Sequence, residues 1–443
     1  MRIPCKKAGY ISLKAGLLAL IVLCCACSKI EYTFPREAAS AVAYPDVKFA
    51  VISDVHIYDP SLGTTGEAFE KAMESDRKLL RDGIDLLDFA TGAILDSGVS
   101  FVLVSGDLTK DGELINHQLL AEKLNRFTDA DIPVYVVPGN HDINNPWAYR
   151  YDGDDTAPVP TVSADEFAQI YGKFGFDGSV MRDADSLSYV AEPVPGLWLL
   201  AIDSCRYREN TEGEEPLVSG SIGQKTMNWI AGVLSEAAEK GKAVIAMMHH
   251  GVVEHWKGQA KLHPDYLVND FKNFQAFLAS WNVRLVFTGH YHAQDIARAD
   301  YGGKFIYDVE TGSLITAPCP IRYAEIKNNT IQIRTDTIVD KVHPGTDFAA
   351  NAHAFVKKTV VMEAFKTLKK YLTTDEGAAY IADGVGDAFN AHYAGDEDPA
   401  LRPAWDKTKL GLWSRFIYGW QDYVMDGLWN DPLPADNNVH LEL

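Results

Sequence analysis

Five short motifs carry side chains able to hold metal ions or move protons: Asp54-Val55-His56, Gly106-Asp107, Gly139-Asn140-His141-Asp142, His249-His250 and Gly289-His290-Tyr291-His292. Each alone is a weak signal, because a lone Asp-x-His or Gly-Asp is more often a turn than a ligand. Together they supply imidazoles, carboxylates and one carboxamide, a set that suits borderline divalent ions such as Mn, Fe or Zn. Two such ions ~3.5–4 Å apart can lower the pKa of a bridging water and clamp the attacking and leaving oxygens of a displacement. One carboxylate must then bridge the ions, and the glycines let the backbone come close to metal and phosphate.

Each motif ends a short apolar run. The runs Phe49–Ser53, Phe101–Ser105, Val134–Val137, Leu197–Ile202, Ala243–Met248 and Leu285–Thr288 are bounded by turn residues and predict buried strands. Between them Phe69–Asp96, Glu113–Thr128, Gln224–Glu239 and Asn269–Ala279 have helical character. Alternating strands and helices predict a layered α/β domain, and every motif falls at the carboxyl end of its strand, where open α/β sheets build their sites. Phe305–Val309 and Tyr323–Ile338, the latter turning at Asn328-Asn329, predict the closing strands.

The length of 443 residues, 47% hydrophobic and 23% charged, is that of an ordinary globular chain. A formal net charge of −20 excludes long nucleic acid as an expected partner, since that binding needs a basic footprint. Residues 341–443 change texture: Phe348, Ala352, Phe355, Val356, Phe365, Leu368 and Leu372 recur at helical spacing, with further helices over Ala378–Tyr393 and Trp405–Leu428. This predicts a helical C-terminal domain whose Trp and Tyr residues are core, or alternatively cover the active site.

At the other end, Arg2, Lys6, Lys7 and Lys14 precede an apolar stretch from Ala15 to Ala26, too short for a spanning helix of ~20 residues. Residues 1–26 therefore read as a signal peptide, the alternative being an uncleaved anchor. Ala26-Cys27-Ser28 resembles the lipidation site of bacterial lipoproteins, although Cys24 stands where such signals usually carry Leu; Cys25 is the alternative acceptor. Residues 27–46 form a tether, and 47–340 the catalytic domain. Cleavage removes four basic side chains and no acid, making the chain still more acidic. Of six cysteines, Cys205 and Cys319 lie in the folded part, expected as separate buried thiols rather than a pair.

The ordered motifs resemble the calcineurin-like metallophosphoesterase family from Val47 to Ile338. The resemblance implies a β-sandwich core flanked by helices and two divalent ions. Asp54, His56, Asp107 and His292 would hold the first ion; Asp107 would bridge to a second, completed by Asn140, His249 and His290. His250 is the alternative to His249. His141 would face the phosphate as general acid, with Asp142 orienting it. A narrower similarity, carried by Gly106-Asp107-Leu108-Thr109, Gly112-Glu113, His117 and Pro138 to Trp147, is to bacterial class III cyclic-nucleotide phosphodiesterases, some of which have a helical C-terminal domain. Asn144 and Trp147 would then contact substrate, or alternatively form and anchor the loop, and His117 would sit on a helix surface or behind the ligands.

These readings predict a dinuclear phosphoesterase in which a metal-bridging hydroxide attacks a phosphodiester, a cyclic nucleotide foremost, on a lipid-anchored protein of the bacterial cell envelope. The alternatives are a phosphomonoesterase, a head-group phosphodiesterase, a nuclease acting on short oligonucleotides, and a surface lipoprotein that binds without catalysis. Nothing in the residues specifies oligomeric state or membrane face.

Overall fold

A strand apolar on both faces must be covered on both faces, and five of the described strands are buried almost throughout. A computed structural model describes residues 30–35, 42–74, 76–371, 373–404, 406, 408, 410–430 and 433–443. The leader, Cys25 and Cys27 lie outside the described residues, as does Trp405.

In chain order, Val47–Ile52 (β1), Glu67–Glu74 (α1), Gly83–Leu95 (α2), Val102–Val104 (β2), Leu114–Thr128 (α3) and Val134–Val136 (β3) come first. A hairpin of Tyr149–Asp152 (β4) and Asp155–Pro158 (β5) and the helix Ala164–Ile170 (α4) follow. Next are Met181–Arg182 (β6), Tyr189–Val194 (β7), Leu197–Ile202 (β8), Gln224–Glu239 (α5), Ala243–Met248 (β9), Gln259–Leu262 (α6), Phe271–Ser280 (α7) and Leu285–Thr288 (β10). Asp295–Tyr301 (β11), Lys304–Glu310 (β12), Pro320–Lys327 (β13) and Thr330–Thr337 (β14) precede Phe348–Lys370 (α8), Asp375–Ala394 (α9), Leu412–Trp429 (α10) and Asn438–Glu442 (β15).

The strands form two large sheets, ordered β15-β14-β13-β1-β2-β3 and β11-β12-β10-β9-β8-β7-β6. β1, β2 and β3 run parallel, as do β8, β9, β10 and β12, so both sheets send parallel carboxyl ends to the same region. The sheets meet face to face. Phe49 of β1 stacks on Phe101 at 4.7 Å and meets the edge of Phe287 of β10 at 5.2 Å, and the Tyr189 hydroxyl of β7 donates to the Val136 carbonyl of β3 at 2.9 Å. Strand alternation divides β8: Leu197, Leu199 and Ala201 join this inter-sheet core, whereas Trp198, Leu200 and Ile202 face α5 and α7.

Three local features differ from the sequence reading. The helical pattern of Phe69–Asp96 is two helices, parted where the Asp76 carboxylate accepts the backbone N–H groups of Arg77 and Lys78 at 2.8 and 3.1 Å; an Asp capturing nearby N–H groups offers the chain an alternative to helix. β6, β7 and β11, missed in the sequence, complete the second sheet. The C-terminal region carries the expected helices, but Trp413, Tyr371 and Tyr423 are exposed rather than core, while Trp429, Tyr418 and Tyr393 are buried. Cys205 and Cys319 are both free thiols, Cys319 buried and Cys205 half-buried. Among the described residues no helix is long and apolar enough to cross a membrane.

After α10 the chain returns to the first sheet as its edge strand β15, paired with β14. Arg322 of β13, fully buried, donates to the carbonyls of Glu310 and Asp436. The Asp436 carboxylate in turn accepts the backbone N–H of Ile296 at 2.8 Å and of Asp396 at 2.7 Å. Asp436→Ala strands the buried Ile296 donor and a part-buried one at Asp396, so it is expected to lower stability by roughly 1–3 kcal/mol in urea unfolding. An unchanged midpoint would mean the tail does not clamp the sheet.

Candidate metal centre

Side chains leaving separate parallel strands converge only if the backbone turns abruptly after each strand. It does so through left-handed residues: Asp54 (φ 50°), His56 (39°), Asp107 (48°), His290 (78°) and His292 (67°). Such conformations in non-glycine residues cost on the order of 1–3 kcal/mol each and persist where the surroundings over-determine them. Here they are fixed by backbone bonds between loops, Asp54 N–H to Gly106 O at 3.1 Å and His56 N–H to Asp107 O at 2.9 Å. Two glycines are obligatory for the approach. A Cβ on Gly139 would lie 2.0 Å from Asp107 Oδ1, and one on Gly289 would lie 2.0 Å from Ser53 Oγ.

The result is two groups of donor atoms sharing one carboxylate. Asp54, His56, Asp107 and His292 offer atoms all within 4.8 Å of one another, and so do Asp107, His249 and His290. Asn140 adds its Oδ1, 3.1 Å from His249 Nε2. Hydrogen bonds behind the rings fix which nitrogen faces inward. His56 Nδ1 donates to Thr109 O at 3.2 Å and His249 Nδ1 to Ser105 O at 2.9 Å, which leaves both Nε2 atoms for the centre. His290 instead uses Nε2, donating to Asp265 O at 3.3 Å, and so presents Nδ1.

The donors fit a pair of cations. His56 is held neutral, its pKa pulled well below the usual value by burial and then by the Lys78 charge. Its Nε2 lone pair faces His292 Nε2 at 3.3 Å, Asp107 Oδ2 at 3.5 Å and Asp54 Oδ1 at 3.8 Å, an arrangement that a cation between them satisfies. Burial also pulls His290 down, while His249 is raised to about 9: burial opposes its protonation, but the Asp107 charge outweighs that. His250 has no such role. Its Nδ1 meets Ser204 Oγ at 2.8 Å and its Nε2 donates to Val218 O at 2.9 Å.

His141 stands at the edge of this cluster, its backbone N–H donating to Asp107 Oδ1 at 3.0 Å and its Nε2 directed to the cavity, 3.5 Å from Lys78 Nζ. The carboxylate on its other nitrogen corrects the sequence reading. Asp111, not Asp142, accepts His141 Nδ1–H, at 2.8 Å. Asp142 is buried beneath the loop and accepts the backbone N–H groups of Gly139, Thr109 and Leu108 at 2.7, 2.9 and 3.1 Å. Burial and the Asp107 charge push its pKa up to about 7 against those donors. His117, expected on a surface or behind the ligands, is buried behind this loop, bonding Asp142 O at 2.8 Å.

Trp147 is exposed beside His141, in a groove of about 410 Å³ that it shares with Asp76, Lys78 and Asp111. Asn144 does not reach that groove. Its backbone N–H bonds Val162 O at 2.9 Å and its side-chain amide leans on Tyr207 O at 3.5 Å, so it shapes the loop.

Sequence reasoning missed Asp111, Lys78, Arg77 and Tyr266. Asp111 and Lys78 lie 30 and 63 residues from His141, outside any local motif. The one available signal was Ser75-Asp76, a helix-stopping pair inside the Phe69–Asp96 pattern. Asp111→Ala is expected to lower kcat about 100-fold with metal content unchanged by plasma mass spectrometry. Equal loss of metal would make Asp111 part of the centre rather than the support of His141.

Solved structures that match the chain include a dimetal phosphatase from Danio rerio, at 17% identity, TM-score 0.48, covering 66% of this chain and 97% of that one. A 5'-nucleotidase precursor from Thermus thermophilus matches at 13% identity and TM-score 0.37, covering 73% of this chain and 60% of that one. A sulfate thiohydrolase from the same organism, solved with glycerol, matches at 12% identity and TM-score 0.36, covering 76% and 63%. No curated protein matches the chain at a significant level. The model of the calcineurin-like phosphoesterase family matches residues 47–294, more than half of the chain and the whole span holding the five motifs. With the shared carboxylate and both donor groups inside that span, the chain belongs to the calcineurin-like phosphoesterase family.

Proposed function

We propose that the protein hydrolyses phosphodiesters at a dinuclear centre held by Asp54, His56, Asp107, Asn140, His249, His290 and His292. The observation that carries this reading is that two further clefts share wall residues with the metal cavity, each through a different set. The Trp147 groove shares Asp76, Lys78 and His141 with the cavity, and a second chamber shares Arg77 with it. A phosphodiester has two alcohol arms and needs two such clefts; a monoester needs one.

When bound, the two ions supply Lewis-acid charge to the phosphate oxygens and lower the pKa of the attacking water. The chain's own residues do the rest. Lys78, a nearly buried ammonium at the cavity wall, neutralises a non-bridging phosphate oxygen. His141 donates its Nε2 proton to the departing alcohol oxygen, and the Asp111 carboxylate fixes the ring and stabilises the charged imidazole. Tyr266, Tyr291 and Tyr393 wall the cavity and restrict water.

A second reading, hydrolysis of cyclic nucleotides, is supported by Trp147, whose exposed indole beside His141 can stack on a base. We also infer, from the basic and apolar leader and Ala26-Cys27-Ser28, a lipid-anchored protein of the bacterial cell envelope, where scavenging fits better than control of a cytoplasmic messenger. With Mn added, bis(p-nitrophenyl) phosphate is expected to turn over faster than p-nitrophenyl phosphate. His141→Ala is expected to lose about 100- to 10,000-fold in kcat and Lys78→Ala to raise KM. A large preference for the monoester would overturn the diester reading, and 2′,3′- or 3′,5′-cyclic nucleotides outpacing acyclic diesters would select the cyclic one.

A further inference from the structure

The second chamber, about 410 Å³, is built largely by the C-terminal helices. Val360, Ala364 and Leu368 of α8 and Val385 and Phe389 of α9 give it apolar walls. It meets the metal cavity at Arg77, whose guanidinium donates to the Tyr393 hydroxyl at 2.9 Å and pairs with Glu363. An apolar space of ~300–1,000 Å³ with a few placed polar groups is what binding an organic group requires.

The apolar surface does not stop at the chamber. Its rim carries Leu262, Tyr371 and Tyr423, all exposed. From there it continues onto α10: the Trp413 indole donates to Tyr371 O at 2.8 Å and its ring stacks on Phe416 at 5.4 Å. Leu412, Trp413 and Phe416 are 87%, 54% and 69% exposed. Single exposed apolar residues need no explanation; an apolar chamber beside a reaction centre, continued at its rim by an exposed aromatic cluster, does. Lys261 lines the chamber and Lys257 lies 5.7 Å from the Tyr423 ring, placing positive charge at the rim of a strongly acidic chain. Tryptophan, tyrosine and lysine beside exposed leucine and phenylalanine are the composition of a surface lying in a membrane–water interface.

We infer that the C-terminal helices dock on a lipid surface through Leu412, Trp413 and Phe416, and that the chamber receives the hydrocarbon chain of an amphiphilic phosphate ester drawn from it. A lipid satisfies both features at once, covering the cluster with its bilayer and filling the chamber with a single chain; a protein partner would cover only the first. The identity of the ester bond rests on the phosphodiester reading, but docking and chain binding do not.

Two measurements without turnover test this. The full chain is mixed with phosphatidylcholine vesicles brominated on their acyl chains, which quench nearby tryptophan. Wild-type emission is expected to fall, and Trp413→Phe to remove most of that loss. Equal quenching in both proteins, or no quenching together with a dimer that Trp413→Ser dissociates, would overturn the docking surface. Titration calorimetry with decylphosphonate is expected to show binding at least tenfold tighter than methylphosphonate, an advantage that Ala364→Phe abolishes by filling the chamber. Equal affinity for the two phosphonates, or no effect of Ala364→Phe, would overturn the chamber. Chain-dependent binding without turnover of any diester would instead overturn the proposed reaction and leave this inference standing.

Discussion

One buried carboxylate organises the centre. Asp107 Oδ2 lies 3.4 Å from His249 Nε2 and 3.5 Å from His56 Nε2, and Oδ1 accepts the His141 backbone N–H at 3.0 Å. Burial alone would favour the neutral acid, yet the surrounding histidines, His249 foremost, hold Asp107 well below the usual carboxylate range. A charge this deep is tolerable only with positive charge beside it. The tight turns after β1, β2 and β10, the bare Cα of Gly139 and the fixed ring tautomers can all be understood as means of bringing imidazoles and a second carboxylate to that one group. The strain lies in the loops, where the site is; the rigid parallel strands beneath supply the positions.

The sequence was most legible where burial acts on both faces of a strand. Ala243–Met248, Leu285–Thr288 and Leu197–Ile202 appear at the bounds their apolar runs imply, and Asn328 and Asn329 turn the hairpin with φ of 51° and 60°. The ligand-bearing motifs were legible because each combines a rare residue pairing with a strand end. What escaped notice depends on contacts distant in sequence. Asp142 adjoins His141 in the chain and looked like its partner, but a short loop turned that carboxylate inward to collect backbone N–H groups, leaving the role to Asp111. The break between α1 and α2 was hidden by helical periodicity that runs through it, and with it Arg77 and Lys78. β15 is five residues with no apolar run, and only its pairing with β14 defines it.

The C-terminal region changes the meaning of the acidic balance. Averaged over the chain, a charge of −20 repels an anionic substrate. Attraction is therefore local, at the donor groups that bind cations, at Lys78 and at Arg77. The helices hold Arg77 through Glu363 and Tyr393, so the wall of the catalytic cavity is partly made by the tail. The region expected as a helical C-terminal domain thus shares a surface with the centre.

Everything above turns on Asp107 joining two cation sites. Crystals grown with Mn and measured at the Mn absorption edge test it most directly. Two anomalous peaks per chain are expected, one among Asp54, His56 and His292 and the other among Asn140, His249 and His290, with Asp107 touching both. A single peak, or two peaks with Asp107 bound to neither, would contradict it.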